Sequence, residues 1–137
     1  MEVKLLIVDD EQSIAGSLAK YFRLHEFEVG VAHNAEEALK KIFEENYMVV
    51  ISDIMMPGMS GIELLKRIKK YNGMIQVLMM TGVVTIENVL ACLRNGANEC
   101  YLKPLGDLEV IRAGVDEAVG KLTRWENLIR NMVKRKD

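Results

Sequence analysis

The sequence of 137 residues predicts one α/β domain: an open five-stranded parallel sheet with helices on both faces, continued by an extended C-terminal helix. Three observations predict it. Leu5–Val8, Met48–Ile51 and Val77–Met80 are continuous apolar runs, as strands buried on both faces require. Segments with the 3.6-residue period of amphipathic helices separate them. The resulting order is βα five times over, which right-handed crossovers turn into a parallel sheet.

The elements follow in order. After the first run, Ile14, Leu18, Tyr21 and Phe22 share one helical face. Phe27, Val29 and Val31 alternate with Glu28 and Gly30, the pattern of an edge strand exposed on one side. Ala35, Ala38, Leu39 and Ile42 line the second helix, and Asn34 with Glu37 stands at its start as a cap. Ser60 with Glu63 repeats that signal for the third helix, and Gly73 stops it. Ile86, Val89, Leu90 and Leu93 mark the core face of the fourth helix, which Gly96 ends. Cys100–Leu102 supplies the fifth strand. From Asp107 the chain reads as helix almost throughout, with Leu108, Ile111, Val115, Ala118, Leu122, Trp125, Ile129 and Met132 at alternating steps of three and four.

Composition excludes several classes. Half of the residues are hydrophobic and 28% charged, the balance of a globular chain. A net charge of −2 argues against a nucleic-acid-binding surface. No apolar stretch approaches the ~20 residues that span a bilayer. Met1–Glu2 leads directly into a strand, without the basic and apolar regions of a signal peptide, so a cytoplasmic domain is expected. Cys92 and Cys100 suggest no disulfide framework and are expected to be buried and inert. His25 and His33 have no ligand spacing and are expected at the surface.

In an open α/β sheet, ligands bind beyond the carboxyl ends of the strands. The first run ends in Asp9 and Asp10, the third in Asp53, the fourth in Thr81 and the fifth in Lys103 before Pro104. Two carboxylates about 4 Å apart repel by roughly 4 kcal/mol at an effective dielectric near 20. Three on one rim therefore need raised pKa values or a cation. Magnesium suits such oxygen donors, whereas zinc would want His or Cys. With a metal and a lysine beside it, a carboxylate can attack phosphorus and form an aspartyl phosphate. Thr81 would donate to the new phosphoryl group and Lys103 would pair with its charge.

The segments LLIVDDEQS (5–13), SDIMMPGMSGIELL (52–65), VLMMTG (77–82) and YLKP (101–104) resemble the receiver domain of bacterial two-component response regulators, of the chemotaxis-regulator type. The resemblance covers roughly residues 3 to 120, with every motif in order. It implies the flavodoxin-like strand order 2-1-3-4-5 and a phosphorylation-dependent signalling switch, not an enzyme beyond its own phosphorylation and dephosphorylation. Asp53 then resembles the acceptor of the phosphoryl group from a histidine kinase's phosphohistidine. Asp10 resembles a direct magnesium ligand, with Asp9 acting through water, the Met55 backbone carbonyl as a further ligand, and Mn2+ as a substitute ion. Thr81 and Tyr101 resemble the switch pair, and Lys103 the family's lysine, with the Lys103–Pro104 bond cis. Gly82 and Ser60 depart from commoner family residues, but neither departure removes a reacting group. Met55 and Val83 are apolar where the family tunes hydrolysis, which implies slow self-dephosphorylation.

The resemblance divides the chain into a receiver domain, residues 1–120, and a helical extension, 121–137. Residues 1–120 hold 12 Lys+Arg against 18 Asp+Glu, net −6; residues 121–137 hold 6 against 2, net +4. An apolar seam with basic flanks suggests a dimer stalk or a linker to an output domain outside this sequence. The expected partners are a histidine kinase and a second copy; no direct nucleic-acid or membrane partner is expected. Other functions fit poorly. An FMN carrier of the flavodoxin type would meet repulsion from Asp9 and Asp10 in its phosphate loop. An aspartyl-phosphate phosphatase would need a carboxylate where Met55 stands, and a P-loop motif is absent. An interaction module that works without phosphorylation would have no need of mutually repelling carboxylates.

Overall fold

The apolar runs become the middle of the sheet. In a computed structural model, which describes residues 2–83 and 85–135, the elements are β1 (Lys4–Val8), α1 (Gln12–Leu24), β2 (Glu28–Ala32), α2 (Ala35–Glu44), β3 (Tyr47–Asp53), α3 (Gly61–Tyr71), β4 (Gln76–Thr81), α4 (Ile86–Arg94), β5 (Glu99–Leu102) and α5 (Leu108–Arg135). All strand pairs are parallel, in the order β2-β1-β3-β4-β5. β3 and β4 are buried at every position, apolar through their middles with the polar Ser52, Asp53, Gln76 and Thr81 at their ends. β2 lies at one edge and β5 at the other.

The helix starts are built by side chains. Asn34 Oδ1 accepts from the Glu37 N–H at 2.8 Å, and the Glu37 carboxylate in turn accepts from the His33 N–H at 3.1 Å. Ser60 Oγ accepts from the Glu63 N–H at 3.2 Å, and Thr85 caps α4 through the Asn88 N–H at 3.1 Å. The Glu37, Glu63 and Asn88 bonds each satisfy a donor that the first helical turn leaves without an intrahelical partner. Gly96, at φ +88°, follows α4 in the left-handed region that favours glycine.

The fourth helix departs from expectation. Ile86 and Leu93 are 80% and 55% exposed, Leu90 is exposed too, and Cys92 is the buried residue of α4. The reason lies in its position: α4 covers the edge strand β5, only four residues long, and there is too little sheet beneath it to cover a wide apolar face. With Leu102 and Val110, also exposed, these side chains leave apolar groups on the outer surface of α4, β5 and α5.

Cys92 is buried and its thiol is pushed up to about 11, by burial first and then by Cys100. Burial raises Cys100 as well. Both thiols are therefore expected to resist iodoacetamide near neutral pH in the folded protein and to alkylate on unfolding. Mass analysis of labelled protein checks this; rapid labelling of Cys92 under native conditions would contradict its burial.

α5 is one helix of 28 residues, about 42 Å long at 1.5 Å per residue. Gly114 and Gly120 do not interrupt it. Ile111, Val115, Ala118 and Leu122 are buried against the domain, whereas Trp125, Leu128, Ile129, Met132 and Val133 are exposed. Lys136 and Asp137, the last residues of the expected extension, lie outside the described residues.

Candidate functional site

Parallel pairing aligns the strand ends. Val8 pairs with Ser52, Asp53 with Met80 and Thr81 with Leu102, so the residues that follow emerge along one rim. Asp9 there is fully buried, Asp53 is 4% exposed and Asp10 is exposed. One carboxylate oxygen from each can be chosen so that all three lie within 4.8 Å of one another.

Lys103 closes the group. Its Nζ lies 2.7 Å from Asp9 Oδ2, 3.0 Å from Asp53 Oδ2 and 3.5 Å from Glu11 Oε1. The Lys103 N–H donates to the Thr81 carbonyl at 2.8 Å, and the Lys103–Pro104 bond is cis. The other oxygens of the buried carboxylates are held by main chain: Asp9 Oδ1 accepts from the Glu11 N–H at 2.9 Å and Asp53 Oδ1 from the Met55 N–H at 3.3 Å.

The charges do not balance. Burial pushes the Asp53 carboxyl above its ordinary range, Lys103 pulls it back, and Asp9 adds to the rise; the net direction is upward. For Lys103 burial acts downward, but its contacts with Asp9 and Asp53 and their charges outweigh it and raise its pKa. One ammonium thus stands against Asp9, Asp53 and Glu11, with Asp10 in the same cluster. Asp9 Oδ2 is buried and, although close to Lys103, accepts no well-directed hydrogen bond. A buried oxygen with spare acceptor capacity among carboxylates fits a hard divalent cation such as magnesium.

Thr81 and Tyr101 make their side-chain contacts away from the carboxylates. Thr81 Oγ1 donates to the Val83 carbonyl at 2.8 Å and accepts from the Val83 N–H at 3.1 Å, so its hydroxyl is turned into the following loop. Tyr101 lies opposite Met80, and its hydroxyl packs on α5 at Gly114, where a Cβ would overlap it. Burial raises the phenol pKa of Tyr101.

Two further residues shape the site without having been singled out from sequence. Glu11 reaches Lys103, and its place directly after the aspartate pair was the available signal. At Gly61 a Cβ would overlap the Asp53 carbonyl oxygen, and the Gly61 N–H donates to the Ile54 carbonyl at 2.8 Å. Glycine there lets the loop 54–60 fold back on the end of β3. A glycine as the first residue of a helix was its signal.

A doubly wound parallel sheet with three aspartates and a lysine on the rim at its strand ends defines the class. Comparison gives the family. Residues 5–121 match the response regulator receiver domain, and the chain belongs to that family. It is 36% identical over 118 residues to the transcriptional regulatory protein ZraR of Klebsiella oxytoca, covering 86% of this chain and 26% of that protein. It is 39% identical over 108 residues to the CpxR homolog of Haemophilus influenzae, covering 79% of this chain and 47% of that one. The chain thus spans half or less of these curated relatives. Among solved structures it is similar to a CheY-like receiver domain protein from Methanospirillum hungatei JF-1, with a TM-score of 0.86, 29% identity, and coverage of 90% of this chain and 98% of that one. It is also similar to the response regulator TrrA of Thermotoga maritima, solved in complex with Mg2+–BeF, with a TM-score of 0.77, 32% identity, and coverage of 85% and 98%.

The chain is therefore a receiver domain of two-component signalling, a phosphorylation-dependent switch. Domains of this family bind magnesium in their acidic pocket and work with a histidine kinase. No helix among the described residues is long and apolar enough to cross a membrane.

Proposed function

We propose that Asp53 is the phosphoryl acceptor, within a receiver domain spanning residues 1–120. The observation that carries this is the convergence of Lys103 on Asp53 and Asp9 at 3.0 and 2.7 Å beside an exposed third aspartate. An Asp53 carboxylate oxygen attacks the phosphorus of a kinase phosphohistidine; the P–N bond breaks, and the imidazole leaves with its electron pair. Asp10, Asp53 and the Met55 carbonyl would hold magnesium, with Asp9 acting through water and Mn2+ able to substitute. When bound, the ion would supply positive charge beside the phosphoryl oxygens. Lys103 exchanges part of its contact with Asp53 for the phosphoryl group. The chain catalyses only its own phosphorylation and dephosphorylation, in the cytoplasm, and its output domain or protein lies downstream.

The switch follows from the present hydrogen bonds of Thr81. To donate to a phosphoryl group, its hydroxyl must give up the Val83 carbonyl. That movement opens space behind Thr81, into which the neighbouring strand's Tyr101 turns. Taking such an equilibrium from 1:99 to 99:1 needs about 5.5 kcal/mol of differential binding. A bond from Lys103, one from Thr81 and metal coordination, all partly desolvated, supply terms of that order. The readout then lies on the apolar surface of α4, β5 and α5.

Beryllofluoride with magnesium tests the switch by amide NMR. The Val83 N–H, now bonded to Thr81 Oγ1, is expected to shift most outside the rim, with Tyr101 and residues 86–94 responding. Shifts confined to residues near 9, 10 and 53 would overturn the assigned role of Thr81 and Tyr101.

A further inference from the structure

The apolar stripe of α5 does not end where the domain does. Ile111, Val115, Ala118 and Leu122 face the domain's own core, and Trp125, Ile129 and Met132 continue the same stripe into solvent. The helix begins at the acidic rim and runs to the opposite edge of the sheet. There a cavity is lined by Glu2, Val3, Glu26, Phe27, Glu28 and Val119, three of them glutamates. Farther along the same helix stand Arg130, Lys134 and Arg135. We propose that the stripe is covered by α5 of a second copy lying antiparallel, with the basic residues of each helix docked in the acidic cavity of the other copy.

Direction is set by sterics. A helix laid on the exposed stripe lies on the sheet side of α5, beyond the sheet's edge. A parallel partner helix would run from there into the space filled by the domain's own packed core, which does not yield. An antiparallel one runs away from it. Pairing Trp125 with Ile129 of the second copy, and Leu122 with its Met132, fixes the register. The same register brings residue 135 of the second copy level with Val119, in the wall of the acidic cavity.

Charge agrees at long range, since residues 1–120 carry −6 and 121–137 carry +4. Two local contacts oppose the arrangement. Lys121 approaches Arg135 of the second copy, and the two copies of Glu126 approach each other, although each is paired with Arg130 in its own helix. A parallel pair would instead gain Lys121–Glu126, but an exposed ion pair is worth little beside a steric overlap. The contact is isologous, so it closes at two copies.

The proposal rests on the stalk reading of residues 121–137 and not on the acceptor assignment, so its failure would leave phosphoryl transfer to Asp53 untouched. Sedimentation of the full chain over a range of concentrations is expected to show a monomer–dimer equilibrium that weakens with salt. Ile129→Asp, at an exposed position, raises the dissociation constant about tenfold or more with an unchanged circular dichroism spectrum. Glu28→Lys and Arg135→Glu each weaken the dimer, and combining them restores part of the loss. Met132→Cys tests direction: under oxidation it links two copies only if the helices are parallel, with wild type as the control for Cys92 and Cys100. A monomer at every concentration, a Met132→Cys cross-linked dimer, or a monomer that binds anionic lipid vesicles through this helix would each overturn the proposal.

Discussion

Asp53→Asn is expected to abolish the phosphoryl adduct formed with acetyl phosphate while leaving the fold and the Trp125 fluorescence unchanged. The amide cannot act as the nucleophile, and no other carboxylate of the rim is placed like it. Asp10 is exposed, and Asp9 is fully buried against Lys103. The sign of the stability effect also follows. The Asp53 pKa is raised in the folded protein, chiefly by burial, so the folded state binds a proton more readily than the unfolded state. Its contribution is most favourable below the unfolded carboxylate range and is lost as pH rises through the raised value. Near neutral pH the ionised carboxylate is therefore a net cost, and Asp53→Asn is expected to be at least as stable as wild type. Toward acidic pH the difference narrows. Thermal unfolding at both pH values checks this, and a variant markedly less stable at neutral pH would show that the Lys103 pair outweighs burial.

Gly61→Ala is expected to have the largest effect on stability. The added Cβ would overlap the Asp53 carbonyl oxygen and crowd the Ile54 Cα, both main-chain atoms that no rotamer change can move aside. Either β3 or the start of α3 must shift. Overpacking of this kind costs about 3 kcal/mol, or a melting temperature lower by roughly 10 °C in a domain of this size. The same shift displaces Asp53, so phosphorylation should slow as well. Melting and acetyl phosphate reaction rates measured on one preparation check both halves. By contrast, Gly82→Ala meets open space and should change the melting temperature little.

Periodicity made the sheet legible because a parallel sheet covered on both faces keeps the middles of its strands apolar, as Leu5–Val8 and Val77–Met80 show. The rim was legible because strand ends of a parallel sheet must share one edge, which brings Asp9, Asp53, Thr81 and Lys103 together wherever the helices lie. The fourth helix was misread: Ile86, Leu90 and Leu93 show that a helix has an apolar face, not that enough sheet lies beneath to cover it. The direction of the Thr81 hydroxyl was not legible either, because it is decided by a two-residue hydrogen-bonded loop at Val83. Gly114 is where the Tyr101 hydroxyl packs against α5. A sequence shows that a side chain is missing but not which neighbour occupies the space.

The central claim is that the acidic rim accepts one phosphoryl group with the help of a divalent ion. The intact mass of the chain after reaction with acetyl phosphate, with magnesium and with the ion removed by chelation, tests it most directly. A single adduct that needs magnesium and maps to Asp53 is expected. A folded protein that forms no adduct, or one whose adduct forms without a divalent ion or maps to another residue, would contradict it.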